Sequence, residues 1–370
     1  MKKFCFIFFV CTLIACAQRE KENDVPLTTA NYDHEIVVDG LNIPWGMTFL
    51  PNGDLLVTEK TGELIRFDGQ KKAMITGVPQ VYVRGQGGLL DIALHPDYKN
   101  NGWLYLTYAS DDGEEKGGHT ALMRAKLENN TLVEKEVLYK ASPNTTKGQH
   151  FGSRIVFDNK GYLYFSIGER GARDVNPQDI TRDGGKIYRL NDDGSIPKDN
   201  PFYDQADAKK AIYSYGHRNP QGMDKHPESG KIWLHEHGPR GGDEINIVEK
   251  GENYGWPVIT YGINYSGTEI TDQTSKPGMQ QPIYYWIPSI APSGMTFVTS
   301  SKYPQLQGNL LVGSLKFEYL EHVVLKGQQV TKREKLLEGI GRVRSVIQGP
   351  DGFVYVGVEG TGIVKLIPKK

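Results

Sequence analysis

The chain has 370 residues and a nearly balanced charge, with 43 Lys and Arg against 44 Asp and Glu. That balance gives no support to binding of nucleic acid or of an acidic membrane surface, and the length suffices for one large domain or two ordinary ones. With 43 glycines, many short strand-like runs and scarce helical periodicity, the composition points to an all-β fold rich in turns.

Residues 1–15 read as a signal peptide. Lys2 and Lys3 precede an apolar run too short for a typical membrane-spanning helix. Leu13-Ile14-Ala15-Cys16 resembles a bacterial lipoprotein box, which implies cleavage before Cys16 and lipidation of its thiol. Cleavage removes Cys5 and Cys11 and leaves Cys16 alone, so the mature chain has no intramolecular disulfide and no cysteine metal site. The expected location is the bacterial cell envelope, periplasm-facing or surface-exposed, with the membrane touched only through the lipid. Residues 16–32, polar and of mixed charge, are expected to form a flexible tether.

From there one pattern recurs: a Pro, Asp or other polar residue, then Gly, then an alternating apolar strand. The copies begin at PNGDLLVTEKTGELIRFDG (51–69) and continue with NNGWLYLTYAS, DNKGYLYFSIGE, ESGKIWLHEHG, QGNLLVGSLKFEYL and PDGFVYVGVEGTGIVKLI. Their turn glycines, Gly53, Gly102, Gly161, Gly230, Gly308 and Gly352, recur 44–78 residues apart. Six copies at blade-like spacing predict a six-bladed β-propeller over residues 33–370, each copy supplying the middle strands of a blade. The lone strand His34–Val38 is placed to pair with the last blade and close the ring. A propeller carries its chemistry on loops at one face of the channel, so candidates are expected at equivalent positions in several blades.

In chain order, RGQGGLL (84–90) has close glycines but no following helix, which excludes a dinucleotide fingerprint and leaves a tight turn presenting Gln86. KGQHFGSRIVFDNKGYLYFSIGERGAR (147–173) reads as a strand pair turned at Asn159-Lys160-Gly161. A hairpin brings its ends together, so His150 should lie near Glu169-Arg170. YGHRNPQG (215–222) places Arg218 and Asn219 at a strand end before Pro220. HEHGPRGGDEIN (235–246) offers His235 and His237 on one strand face without a third zinc ligand nearby, so zinc is disfavoured. The Gly238-Pro239 carbonyls, with Asp243 and Glu244 nearby, have calcium-ligand chemistry. An aromatic-rich stretch follows (NYGW, YGINYS, YYW). Then come GSLKF and GRVRSV, where Arg342 and Arg344 share a face by period two and join Lys316 as a set suited to a multiply charged anion.

Together these stretches resemble the soluble quinoprotein glucose dehydrogenase and aldose sugar dehydrogenase family, which uses pyrroloquinoline quinone (PQQ). The resemblance runs from about Gly46 to Leu366 through GQGGLLDIALHPDY, HFGSRIVFD, IGERG, YGHRNPQG, EHGPRGGDEIN, NYGWP, GINYSG, GSLK and GRVRSV, in that order. It implies His150 as catalytic base, Gln86 beside the sugar, and Arg218 and Asn219 at the quinone. It further implies Lys316, Arg342 and Arg344 on the PQQ carboxylates and Tyr265 against the cofactor. Gly238 and Pro239 would supply carbonyls to the calcium that also binds PQQ, and Glu244 and Tyr254 would serve a second, structural calcium.

The implied reaction takes the proton of an aldose's anomeric hydroxyl to His150 and hydride from C1 to PQQ, giving a lactone, with Ca2+ and Arg218 stabilising charge on the quinone oxygens. The electron acceptor is unidentified, and a monomer or weak dimer is expected. Gln149 stands where the glucose enzymes carry an acid, and Arg170 where they carry a neutral residue, so a broader aldose preference fits better than glucose alone. The alternative is a non-catalytic propeller lipoprotein that binds a carbohydrate or a protein. The Lys316, Arg342 and Arg344 set is what that alternative leaves without a purpose.

Overall fold

The computed structural model describes residues 25–368. Residues 1–15, read as a signal peptide, and Cys16, the expected lipidation position, lie outside the described residues. The chain opens with β1 (Leu27–Thr29) and β2 (Asp33–Asp39). Blade 1 is β3 (Pro44–Phe49), β4 (Leu55–Glu59), β5 (Leu64–Phe67) and β6 (Lys72–Ile75). Blade 2 is β7 (Leu89–Leu94), β8 (Trp103–Ser110), β9 (His119–Glu128) and β10 (Thr131–Lys140), with a single helical turn α1 (Tyr98–Asn101) between its first two strands. Blade 3 is β11 (Ile155–Phe157), β12 (Leu163–Ile167), β13 (Lys186–Leu190) and β14 (Ile212–Tyr215). Blade 4 is β15 (Pro220–Lys225), β16 (Ile232–Glu236), β17 (Asp243–Ile247) and β18 (Tyr284–Trp286). Blade 5 is β19 (Pro292–Phe297), β20 (Leu310–Ser314), β21 (Tyr319–Lys326) and β22 (Gln329–Leu336). Blade 6 is β23 (Val343–Gln348), β24 (Val354–Val358) and β25 (Gly362–Ile367), completed by β2.

The fold is therefore the expected six-bladed propeller, and its closure is the expected one. β2 pairs antiparallel with β25, His34 opposite Leu366, so the first strand of the domain completes the last sheet and covers its edge. All six turn glycines lie between the first and second strands of a blade, with φ between 68° and 92°. That left-handed region is open to glycine at little cost, which is why the pattern repeats there. The first strands of successive blades, β3, β7, β11, β15, β19 and β23, pack side by side around the axis. Five of them shift register near their first residues, as at Pro44/Gly46 and Val343/Ser345. Such bulges bend the strand and re-aim side chains at the channel mouth.

Apolar alternation fills the wedges between blades. Leu56 and Leu64 of blade 1 pack with Leu104 and Leu106 of blade 2, and Tyr105 and Leu122 of blade 2 pack with Leu163 and Phe165 of blade 3. Each fully buried side chain of this kind contributes about 1.5–3 kcal/mol.

One expectation needs correction. The stretch read as a tether (16–32) is docked from residue 25 on. β1 pairs parallel with β22, Thr28 opposite Glu334, while Val25 and Tyr32 pack against buried clusters. The outer edge of β22 is a row of unpaired backbone groups, and β1 covers it.

Arg154, immediately before β11, sits buried in the channel. Its guanidinium and Nε donate to carbonyls of Trp45 (3.2 Å), Gln221 (2.6 Å) and Arg344 (2.8 Å), and it pairs with Asp91 at 3.2 Å. Five of the six blades meet at this one side chain. Arg154→Met leaves Asp91 buried without its cation and should lower unfolding stability by about 3–5 kcal/mol, read by denaturant titration; a loss below about 1 kcal/mol would show that the blades hold together without it.

Candidate active site

The loops that enter the first strands and leave the second strands form one face of the propeller, and the candidates gather there. The β11–β12 hairpin pairs Ile155 with Phe165 and Phe157 with Leu163, which brings its two open ends together. At those ends Nδ1 of His150 bonds the Glu169 carboxylate. With Nδ1 committed to Glu169, Nε2 is left as the acceptor nitrogen. His150 adopts φ 59° and Arg170 φ 56°, so both turn corners sit in the left-handed region. Arg170 stabilises that geometry from below. Its buried guanidinium donates to the carbonyls of Gln149, Lys147 (2.9 Å) and Gly118 (3.1 Å) and lies 3.4 Å from the centre of the Phe151 ring. From blade 2, the Gln86 side-chain oxygen accepts the His150 backbone N–H at 2.7 Å. Burial, and then the nearby Arg218 charge, push the His150 imidazole below its ordinary value, while Glu169 pulls it back up.

Arg218 enters from blade 4. Its Nη1 donates to the carbonyls of His237 (3.0 Å) and Gly238 (3.2 Å), and the guanidinium lies 5.3 Å from the centre of the Trp256 ring. The strand-end acid Glu236 fixes the loop, accepting from the Arg218 N–H at 2.6 Å and bonding Nδ1 of His217 at 2.8 Å. Asn219 accepts the Gly152 N–H at 3.1 Å, while its buried Nδ2 has no hydrogen-bond partner among the described residues. A buried donor without a partner is costly and marks a place where a ligand acceptor would be welcome.

Blade 6 supplies the cations. Arg342 and Arg344 both reach Glu359, Arg342 Nε at 2.7 Å and Arg344 Nη2 at 2.5 Å. Arg342 also donates to the carbonyl of Leu315, the residue before the exposed Lys316. Burial works to raise the Glu359 carboxyl, but Arg344 and Arg342 outweigh it and hold the group below the ordinary carboxylate range. One carboxylate among Lys316, Arg342 and Arg344 leaves excess positive charge. That donor set fits a planar ligand bearing several carboxylates.

The metal candidates separate into two places. Gly238 and its neighbour His237 already turn carbonyl oxygens toward the Arg218 cation, and the Gly238 N–H is anchored on Asp243 at 2.7 Å. The donor chemistry at Gly238-Pro239 fits a hard cation. Glu244 lies beside Glu236, both reached by Asn246 Nδ2, and burial followed by the Glu236 charge pushes its carboxyl up to about 8. Two crowded carboxylates fit a cation as well. The Tyr254 hydroxyl is spent inside the chain, donating to the Ile247 carbonyl and accepting from the Glu249 N–H, so only its backbone carbonyl suits a metal. His235 and His237 each bond a backbone carbonyl of blade 5, Gly294 at 3.3 Å and Pro292 at 2.7 Å, and burial holds both neutral.

An open cleft of about 730 Å³ lies beside His150, Glu169 and Arg218, and Asn219, Gly238, Pro239, Lys316, Arg342 and Arg344 are not among its lining residues. Gln86, His150, Glu169, Arg218 and Tyr265 line it, with Arg173 bridging its wall to Asn264 at 3.0 Å. Tyr265 is 72% exposed at the rim. Glu169 was anticipated only as part of a charged pair, and Glu236 and Glu359 not at all. A signal was available: an acid ends the second strand in four blades, in TEK, GER, HEH and VEG.

The sequence profile of the glucose/sorbosone dehydrogenase family matches residues 41–365. The aldose sugar dehydrogenase YliI of Escherichia coli K12 is 43% identical over 350 residues, covering 92% of this chain and 94% of that protein. Quinoprotein glucose dehydrogenase B of Acinetobacter calcoaceticus is 34% identical over 272 residues, 64% of this chain and 56% of that protein. The PQQ-bound aldose sugar dehydrogenase of Streptomyces coelicolor superposes with a TM-score of 0.74 at 28% identity, covering 92% of this chain and 99% of that one. With a family match over most of its length, this six-bladed propeller belongs to the glucose/sorbosone dehydrogenase family.

Proposed function

We propose that the chain is a PQQ- and Ca2+-dependent aldose sugar dehydrogenase that oxidises the anomeric carbon of an aldose to a lactone. The observation that carries the reading is the bond from His150 Nδ1 to Glu169 in the same cleft as Gln86 and Arg218. Glu169 fixes the tautomer, so Nε2 takes the proton of the anomeric hydroxyl. Burial and Arg218 keep the imidazole neutral near pH 7, the form a base requires. Gln86 holds the His150 backbone through its oxygen, which leaves its amide nitrogen for the sugar. Lys316, Arg342, Arg344, Asn219 and Tyr265 would hold PQQ, and the Gly238 and Pro239 carbonyls a Ca2+ beside it. When bound, PQQ supplies the two-electron acceptor. Arg218 offers a fixed positive charge where negative charge builds. Glu244, with the Tyr254 carbonyl, would hold a second Ca2+. Lipidation of Cys16 would keep the enzyme at the envelope membrane, where its electrons pass to an acceptor.

The test is reconstitution of the soluble chain with PQQ and calcium, followed by dye reduction with a panel of aldoses; turnover that needs neither addition would sink the reading. His150→Ala should lower kcat by about 10²–10⁴-fold while PQQ binding persists, and a smaller loss would remove His150 from the role of base. Glu169→Gln deletes the one neighbour that raises the His150 pKa, so the acid limb of the kcat/KM profile should move to lower pH and neutral-pH turnover should fall. A limb that stays in place would mean that another group titrates. Calcium at a hundredfold excess over its Kd should stabilise the fold by about 2.7 kcal/mol. Thermal melts with and without chelator check this, and Glu244→Gln should remove part of the gain.

A further inference from the structure

Lys60 follows β4 on blade 1 and lies outside every role assigned above. Its Nζ donates to the Gly85 carbonyl at 2.7 Å. Its backbone carbonyl accepts from Leu89 at 3.0 Å, so it holds the loop 84–88 at both ends. That loop is in turn zipped to the catalytic one. The Gln86 N–H donates to the Gly148 carbonyl at 2.7 Å, and the Gln86 side-chain oxygen accepts the His150 N–H at 2.7 Å. Gly85, at φ 58°, approaches Gly148 so closely that a Cβ would run into the Gly148 carbonyl. The two loops therefore move as one piece.

On its other flank Lys60 feels Arg344 and Glu359. Burial and the Arg344 charge lower its proton affinity, and Glu359 restores part of it.

We propose that Lys60 is a positioning residue for the base: its side-chain bond to Gly85 and its backbone bond from Leu89 set Gln86 and, through Gln86, His150. The line runs from blade 1 through blade 2 to blade 3. The kinetic part of this inference rests on the proposed function; the structural part does not.

The experiment compares the full chain with Lys60→Met and Lys60→Arg. Without cofactor, hydrogen exchange at the Gln86 and His150 amides should be about tenfold faster in Lys60→Met and near wild type in Lys60→Arg, with blades 4 and 5 unchanged. Unchanged exchange in Lys60→Met overturns the proposal. After loading with PQQ and calcium, Lys60→Met should lose about tenfold in kcat, displaced from the productive geometry. Its acid limb should shift, and KM should change by less than kcat. Lys60→Arg should recover most of the rate. Faster exchange with kcat and pH profile untouched overturns the positioning role. A wild-type chain that does not turn over sinks the functional reading instead, and the exchange comparison still decides whether Lys60 holds the loop. Lys60→Gln replaces Lys60→Met if that variant does not fold.

Discussion

A propeller has no central core, only an axis where six first strands meet, and here that axis depends on one buried cation. Arg154 spends its guanidinium on carbonyls from blades 1, 4 and 6 and on Asp91 of blade 2. Blade 5 joins through Ser293, whose hydroxyl donates to the same Arg344 carbonyl at 2.8 Å. A charge taken out of water is tolerated only when hydrogen bonds replace its hydration, and no single strand could supply them. The ring must be closed for Arg154 to be satisfied. Because the Arg344 carbonyl is one of its acceptors, the same interaction also places the backbone of Arg344.

The rim uses a second device four times. An acid at the channel-mouth end of the second strand turns back to hold the loop entering the first strand of its own blade. Glu59 accepts from the Asn42 and Ile43 N–H groups, Glu169 bonds His150, Glu236 bonds His217 and the Arg218 N–H, and Glu359 pairs with Arg342 and Arg344. In blade 1 the device ties backbone alone. In blades 3, 4 and 6 the same geometry orients an imidazole, an arginine loop and a cation pair. The site is thus built from a fold feature repeated around the axis, which explains how residues from separate blades arrive at one cleft.

What could be read from the sequence followed the range of the interactions. The hairpin that joins His150 to Glu169 spans 19 positions and is encoded by a local strand-turn-strand pattern, so the pairing was legible. The six turn glycines and the closing strand β2 were legible for the same reason, each being a local pattern with a fixed backbone demand. Arg342 and Arg344 were legible as two cations on one strand face, but their shared acid was not. Arg154 stands in a quoted stretch without a local hint, since the Arg344 carbonyl it holds is 190 positions away. β1 was missed because Leu27-Thr28-Thr29 is too short to show alternation; the edge it covers, on β22, lies 300 residues downstream. Arg170, met as a departure from the glucose enzymes, shows its reason only in three dimensions. It bonds the backbone carbonyl of Gln149, which holds the turn before His150 whatever side chain stands at 149.

The charges at the cleft also act on one another. Arg218 lies in the same cleft as His150, and a cation there disfavours a second cation on His150. Glu169 acts in the opposite sense. Burial adds to the side of Arg218, and together they leave the imidazole neutral, with Nδ1 committed and Nε2 available. A base beside an arginine might look like a conflict between two polar groups. For the proposed roles it is a condition, because a protonated His150 could accept nothing, and without Arg218 the imidazole would hold a proton over a wider range of pH. The balance depends on keeping water out from beneath the hairpin, where Phe151 and Arg170 stack. The electrostatics of the cleft therefore rest on the packing of the same blade that supplies His150.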